Sequence, residues 1–230
     1  MKTKIIATIG PASEDEVTFK SLVGAGMDIV RLNTKYGSKE QFLHIVTLAE
    51  KYGCEVLYDI KGKHLTEWLK DQVFDYLAVS FAENPEQIEQ VRKFIDKKSV
   101  KIISKIESQR GVDNIEGIIG ASDGIMVARG DLSENVPAET VPIYQKLIIR
   151  KCNQRHKMVI TATEMLLSMT DSNKPEKAEI SDIANAVLDG SDAVMLSEET
   201  AIGKYPALAV KTMSKIIVET QKKAVLLNVK

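Results

Sequence analysis

The sequence predicts an α/β protein built as a single compact (β/α)8 TIM barrel, and three observations carry that prediction. Eight short apolar runs rich in Ile and Val occupy residues 4–10, 28–33, 55–60, 76–81, 100–107, 123–130, 158–164 and 193–199, as expected of strands covered on both faces. Helical patterns alternate with them, which implies parallel strands joined by right-handed crossovers. Each run ends in polar or charged residues, and in a barrel that end carries the chemistry. An open doubly wound sheet is the alternative that the same alternation permits.

The elements follow in order. Run 4–10 leads through Pro11 to a helix over 14–25, with Ser13 as the expected N-cap before the acidic Glu14 and Glu16. Run 28–33 carries Arg31 and Asn33 near its end and precedes a helix over 38–52. Run 55–60 ends at Asp59 and Ile60, but the connection 61–75 holds only Trp68 and a weak helical pattern. Run 76–81 carries Ser80, and Asn84-Pro85 places proline at the first position of a helix over 85–97. In run 100–107, Lys105 and Glu107 are two residues apart and so point to one spot. A helix over 110–121 leads to run 123–130, where Met-Val-Ala-Arg-Gly-Asp spans 126–131 and Asp131 would top the strand. A helix over 137–154 precedes run 158–164, which ends in Thr163 and Glu164. The stretch around Asn173, Glu176 and Glu179 starts a helix over 177–188. Run 193–199 ends in Glu198 and Glu199, and Tyr205-Pro206 opens the last helix, 206–223.

Composition narrows the function. The 230 residues carry a net charge of −1, so bulk electrostatics do not point to nucleic acid. No apolar run approaches membrane-spanning length and the N-terminal run is too short for a signal peptide, so a cytoplasmic location is expected. Cys54 and Cys152 show neither metal-ligand spacing nor a disulfide framework. His44, His64 and His156 have no ligand-like spacing and are expected to be packing or surface residues.

The strand tips carry the chemistry. Glu107 and Asp131 offer carboxylate oxygens to a hard cation, Mg²⁺ or Mn²⁺, that leaves coordination places for a substrate. Lys105 would set its ammonium beside the same substrate, stabilising an enolate or a transferring phosphoryl group. Arg31 offers a fork for phosphate, and Gly130 permits close backbone approach to a ligand beside Asp131.

Several segments together resemble pyruvate kinase, specifically its catalytic barrel: 3–13, 26–33, 102–107, 121–132, 161–165 and 181–190. The resemblance covers nearly the whole chain and is most specific over 126–132. It implies that Glu107 and Asp131 ligate Mg²⁺ and that Lys105 stabilises the phosphoryl group and enolate. It also implies that Arg31 contacts phosphate and that the Thr163 hydroxyl lies near the enolate face. Ser80 and the backbone N–H groups around Arg129, Gly130 and Asp131 would hold the substrate. Thr8, Pro11 and Asn33 would border the nucleotide, while Asn33 and Asp59 would ligate a monovalent cation.

The departures are informative. The family inserts a lid domain after its third strand, where this chain has only 61–75, and the family's C-terminal domain has no counterpart in these residues. The arginine expected after the third strand is missing. The family's Arg-Leu-Asn-Phe-Ser-His-Gly reads Arg-Leu-Asn-Thr-Lys-Tyr-Gly over 31–37, Ile60 replaces a threonine, Lys63-His64 replaces Pro-Glu, and Ser133 replaces a glycine. An ammonium from Lys35 or Lys63 could therefore stand in for K⁺. The expected activity is phosphoryl transfer between phosphoenolpyruvate and ADP, giving pyruvate and ATP. A Mg²⁺-dependent pyruvate-enolate lyase or decarboxylase without nucleotide, and a non-catalytic metabolite-binding barrel, are the alternatives. A homo-oligomer is left open.

Overall fold

The computed structural model describes residues 2–60, 67–224 and 226, and its eight strands close into a parallel barrel in chain order. They are β1 Lys4–Thr8, β2 Ile29–Asn33, β3 Glu55–Ile60, β4 Tyr76–Val79, β5 Lys101–Ile106, β6 Gly124–Ala128, β7 Met158–Ala162 and β8 Ala193–Leu196. The helices are α1 Glu16–Ala25, α2 Lys39–Tyr52, α3 Pro85–Ile95, α4 Gln109–Asp113, α5 Ile115–Ala121, α6 Arg129–Asn135, α7 Val141–Gln154, α8 Lys177–Leu188, α9 Glu198–Ala201 and α10 Pro206–Ala224. Strand β1 pairs with both β2 and β8, so no sheet edge remains. Among the described residues, no helix is long and apolar enough to cross a membrane.

The period-two alternation of the strands sorts their side chains. Ile6, Ile29, Leu57, Ala78, Ile103, Met126, Ile160 and Met195 fill the barrel interior, while Ile5, Val30, Val56, Leu77, Ile102, Ile125, Val159 and Val194 pack against the helices. One inward step further along the chain brings Thr8, Arg31, Asp59 and Lys105 to the C-terminal mouth.

Several local expectations change. Residues 129–131 do not extend β6: the chain turns at once into α6, so Asp131 stands in a helix's first turn, where a negative charge meets the positive end of the dipole. The N-cap of α1 is Asp15, which accepts from the Thr18 N–H at 3.0 Å. Ser13 is buried instead, and its Oγ accepts from the Gly10 N–H at 3.3 Å. The helix over 110–121 breaks at Asn114, whose side chain donates to the Glu83 carbonyl at 2.8 Å. Asn84 does cap α3, with Gln87 completing the reciprocal pair of bonds.

The described part of the connection after β3, residues 67–75, is held by aromatic packing. A 3₁₀ turn, Glu67–Asp71, buries Leu69. Trp68 sets its ring centroid 5.9 Å from that of Tyr58 and 6.3 Å from that of Phe42, and Phe74 lies 5.2 Å from Tyr58. Lys63 and His64 lie outside the described residues.

The N-terminal end of the barrel carries a repeated device. Asp28, Asp75, Asp123 and Asp192 each stand just before an even-numbered strand. Each carboxylate accepts the backbone N–H of the second residue of the preceding odd-numbered strand, Ile5, Val56, Ile102 and Val159 respectively, all at 2.8 Å. Removing such an acceptor leaves a partly buried N–H without its bond. Asp192→Ala is therefore expected to cost about 1–2 kcal/mol, read as a lower urea midpoint with unchanged slope. Asp192→Asn, which keeps a carbonyl acceptor, is expected to lose less.

Candidate active site

The tips of five strands meet around one carboxylate. Arg31 on β2, Asp59 on β3 and Lys105 on β5 are 7%, 1% and 5% exposed. Nε and Nη2 of Arg31 donate to Oδ2 of Asp59 at 3.0 and 2.7 Å, and Nη1 donates to Thr8 Oγ1 at 2.8 Å. Thr8, at the end of β1, donates onward to the Leu196 carbonyl of β8 at 2.9 Å. Nζ of Lys105 donates to the other Asp59 oxygen at 3.1 Å and to Ser80 Oγ at 3.0 Å. It also stands 2.8 Å from Oε1 of Glu107. Ser80, just past β4, donates to the Ile60 carbonyl at 2.8 Å.

The charges set one another. Burial alone would raise the pKa of Asp59, but the cations of Arg31 and Lys105 outweigh it and hold the carboxyl below its ordinary value. Burial would lower the pKa of Lys105, and Asp59 with Glu107 reverses this, so the side chain is an ammonium at neutral pH. Glu107 goes the other way. Burial pushes it up by more than Lys105 and the Phe81 N–H pull it down, and the charge of Asp131 adds to the rise.

The two oxygens of Glu107 differ. Oε2 accepts from the Phe81 N–H at 2.6 Å, aimed by a left-handed Phe81 backbone with φ of 49°. Oε1 faces Lys105 but lies off its hydrogen-bonding directions, and this buried oxygen accepts no hydrogen bond. A carboxylate oxygen whose one close partner is the Lys105 ammonium, and which lies within the field of Asp131, keeps lone pairs that a hard divalent cation can take, so the donor set fits Mg²⁺ or Mn²⁺. Among the described residues there is no cluster of three or more His, Cys, Asp or Glu suited to a metal. Glu107 and Asp131 would therefore share the ion with substrate oxygens and water.

The tip of β7 is strained and clamped. Thr163 and Glu164 have φ of 68° and 55°, conformations costing about 1–3 kcal/mol each. Nη2 of Arg129 donates to their carbonyls at 2.7 and 3.3 Å, and its Nη1 donates to Asp182 of α8 at 2.7 Å and Gln145 of α7 at 3.2 Å. The backbone N–H of Arg129, rather than its side chain, was expected at the substrate, and the side chain is turned behind the barrel. The Gly130 N–H, expected to meet the substrate, donates to Thr163 Oγ1 at 2.8 Å, and that hydroxyl donates to the Ala162 carbonyl at 2.6 Å.

The expected cation site is also rearranged. Both Asp59 oxygens are held by Arg31 and Lys105, and Asn33 Oδ1 accepts from the Lys35 backbone N–H at 3.1 Å. The exposed Lys35 ammonium lies 5.1 Å from the centroid of its neighbour Tyr36 instead of at Asp59, because the turn after β2 carries it outward. Of the two candidate lysines, Lys63 is not described. Beside this centre opens a cavity of about 410 Å³ whose lining includes Thr8, Pro11, Arg31 and Asn33, together with Phe42, Ser197 and Glu198.

Two functional contributors were missed in the sequence. Glu199 is fully buried, and its carboxylate accepts the N–H groups of Leu166 at 3.0 Å and Ser197 at 2.7 Å, tying the tip of β8 to the loop after β7. Burial raises its pKa against those bonds. Its position at a strand tip was the available signal. Asp182 offered none, being an ordinary helix acid 53 residues from the arginine it holds.

Residues 1–71 and 59–210 match the family described as pyruvate kinase, barrel domain, and the two segments overlap over 59–71. The chain is 55% identical to a pyruvate kinase of Clostridium perfringens over 145 residues, covering 62% of this chain and 31% of that protein. It is 46% identical to one of Geobacillus stearothermophilus over 177 residues, covering 76% and 28%. It is 52% identical to one of Clostridium acetobutylicum over 150 residues, covering 64% and 32%. The chain thus spans less than a third of the length of these relatives.

Asp59→Asn leaves two buried cations facing a neutral amide, and is expected to destabilise the fold by about 3–5 kcal/mol at pH 7. The lowered carboxyl of Asp59 contributes fully above the ordinary Asp value of 3.8, and its contribution disappears as pH falls through the lower folded value. Urea unfolding of both proteins from pH 7 into acid should show the gap narrowing only below that range.

Proposed function

The chain belongs to the pyruvate kinase family through its barrel domain, and from that premise we propose that it transfers a phosphoryl group between phosphoenolpyruvate and ADP. The observation that carries this reading is the unbroken chain of ionic contacts from the cavity wall at Arg31, through Asp59, to Lys105 and Glu107. It couples a space of nucleoside size to a buried ammonium that can meet the transferring group. We propose further that 1–230 act as one barrel, with 61–75 standing where the family inserts its lid.

In this reading the β-phosphate oxygen of ADP forms the new P–O bond as the bond to the enol oxygen breaks. The enolate of pyruvate then takes a proton at its methylene carbon. Glu107 and Asp131 would hold Mg²⁺ or Mn²⁺, which when bound would supply charge neutralisation to the phosphoryl and enolate oxygens. Lys105 is fixed by Asp59 and Ser80 and supplies a preorganised positive charge to the same oxygens. Arg31 meets phosphate from the cavity side. Thr163 orders the enolate face, but its own proton is committed to the Ala162 carbonyl, so the proton reaches carbon from water. Ser80 positions Lys105. The ammonium beside Asp59 is that of Lys105, which supports a centre with little need of K⁺. The small-molecule substrates are then phosphoenolpyruvate with ADP, or pyruvate with ATP, in a cytoplasmic setting.

Phosphorus NMR of the protein with phosphoenolpyruvate, ADP and Mg²⁺ should show ATP growing in. Lys105→Met should slow turnover by about 10²–10³-fold. Inorganic phosphate without ATP, or an unchanged spectrum, would sink the kinase reading. Arg129→Lys keeps the charge but loses the fork on Thr163 and Glu164. It is expected to lower kcat by about ten- to a hundredfold with a smaller change in KM, in steady-state kinetics of the same reaction.

A further inference from the structure

The strained turn at the tip of β7 is gripped by opposite charges from its two neighbouring strands. Strand β7 pairs with β6 on one side and β8 on the other. From the tip of β6, the Arg129 guanidinium takes the carbonyls of Thr163 and Glu164. From the tip of β8, Oε1 of Glu199 accepts the Leu166 N–H at 3.0 Å. A cation thus holds carbonyl oxygens and an anion holds an N–H of the same turn, each matched to the polarity of the peptide group it meets. The anion is itself fixed. Glu199 is fully buried, and its Oε2 accepts the Ser197 N–H at 2.7 Å. The α9 turn that carries it is bolted to the tip of β1: Thr200 Oγ1 donates to the Thr8 carbonyl at 2.8 Å, and the Ala12 N–H donates to the Ala201 carbonyl at 2.9 Å. Gly10 lets these segments approach, since a Cβ there would fall 2.8 Å from that Ala201 carbonyl.

We propose that Glu199 is a positioning residue, which with Arg129 clamps the turn over 163–166 so that the Thr163 hydroxyl keeps its place at the enolate face. The inference rests on the kinase reading above and deepens it. Two successive non-glycine residues with left-handed backbones persist only where the surroundings over-determine them. Burying a carboxylate also carries a desolvation cost, and the fold accepts both at one spot. The clamp has a sensor within the structure. Thr163 Oγ1 accepts the Gly130 N–H at 2.8 Å, so a turn released at Leu166 also loosens the Gly130 amide. Glu199 acts through the turn, and Thr163 is the residue that faces the substrate.

Amide hydrogen exchange by NMR and steady-state kinetics test this on Glu199→Gln. The substitution is nearly isosteric, but its amide oxygen serves one N–H and its NH₂ confronts the other. The amides of Leu166 and Gly130 should lose about tenfold or more of their protection, while those of Ile5 and Val159, at the far end of the barrel, keep theirs. In phosphoenolpyruvate-to-ADP transfer, kcat should fall about ten- to a hundredfold with a smaller change in KM. Asp192→Ala, which weakens the opposite end of the barrel, should keep kcat. Adding Glu164→Gly to Glu199→Gln places at φ of 55° a residue that adopts it without strain. The pair should regain part of both losses, a rescue that a purely structural role for Glu199 does not give. Unchanged protection at Leu166 and Gly130, or lost protection with kcat intact, overturns the proposal. So does failure of both the single variant and the pair to fold, which would make Glu199 a core residue only. If the wild type makes no ATP, the kinase reading fails and takes the catalytic role of Glu199 with it, while amide exchange still decides whether the clamp exists.

Discussion

The candidate site depends on one buried carboxylate that serves two cations. Asp59 takes Arg31 on one oxygen and Lys105 on the other, and none of the three could be buried alone without a large desolvation cost. Together they lock the mouth of the barrel. Arg31 can turn only toward Thr8 and the cavity, and Lys105 only toward Ser80 and Glu107. The locked group, with Glu107 included, is close to neutral, and Asp131 makes it acidic. A divalent cation on the two acids would reverse that sign, so an anionic substrate and a metal ion are mutually reinforcing occupants.

Strain and stability are separated along the barrel axis. At the C-terminal end, Phe81, Thr163 and Glu164 hold left-handed backbones, and each is held by a bond that uses the conformation. Phe81 delivers its N–H to Glu107, and the Thr163–Glu164 turn presents its carbonyls to Arg129. Arg129 is anchored from behind by α7 and α8, so the helical ring, rather than the site itself, supports the strained turn. At the N-terminal end the four aspartates pin odd strands to even ones with unstrained bonds. This division leaves the loops at the mouth free to vary while the scaffold stays fixed.

Much of this was legible in the sequence because a strand has a strict period of two. The spacing of Lys105 and Glu107 was enough to bring both to one spot, and the fold followed from eight repeats of one pattern. The end of β6 at Ala128 was not legible, because Arg-Gly-Asp can continue a strand or start a helix and only packing decides. Lys35 illustrates a different limit: adjacency to Asn33 says nothing about which way a turn sends a long side chain. Asp28, Asp75, Asp123 and Asp192, each at the head of an apolar run, are visible in the sequence as a repeat. Their role needed strand pairing to be known.

The connection after β3 packs against the strand that carries Asp59. Phe42 contributes to the cavity wall and also packs on Trp68 and Tyr58, so one ring belongs to both. Tyr58 in turn occupies the outward position next to Asp59, and Phe74 packs on it from the far end of the connection. Aromatic rings in tilted and edge-to-face contact resist independent movement, because their packing is specific in angle as well as distance. Strand β3 leans on this cluster as well as on α2, which supplies Phe42. The position of Asp59, and of both cations it serves, therefore depends on how Trp68 and Phe74 pack against Tyr58.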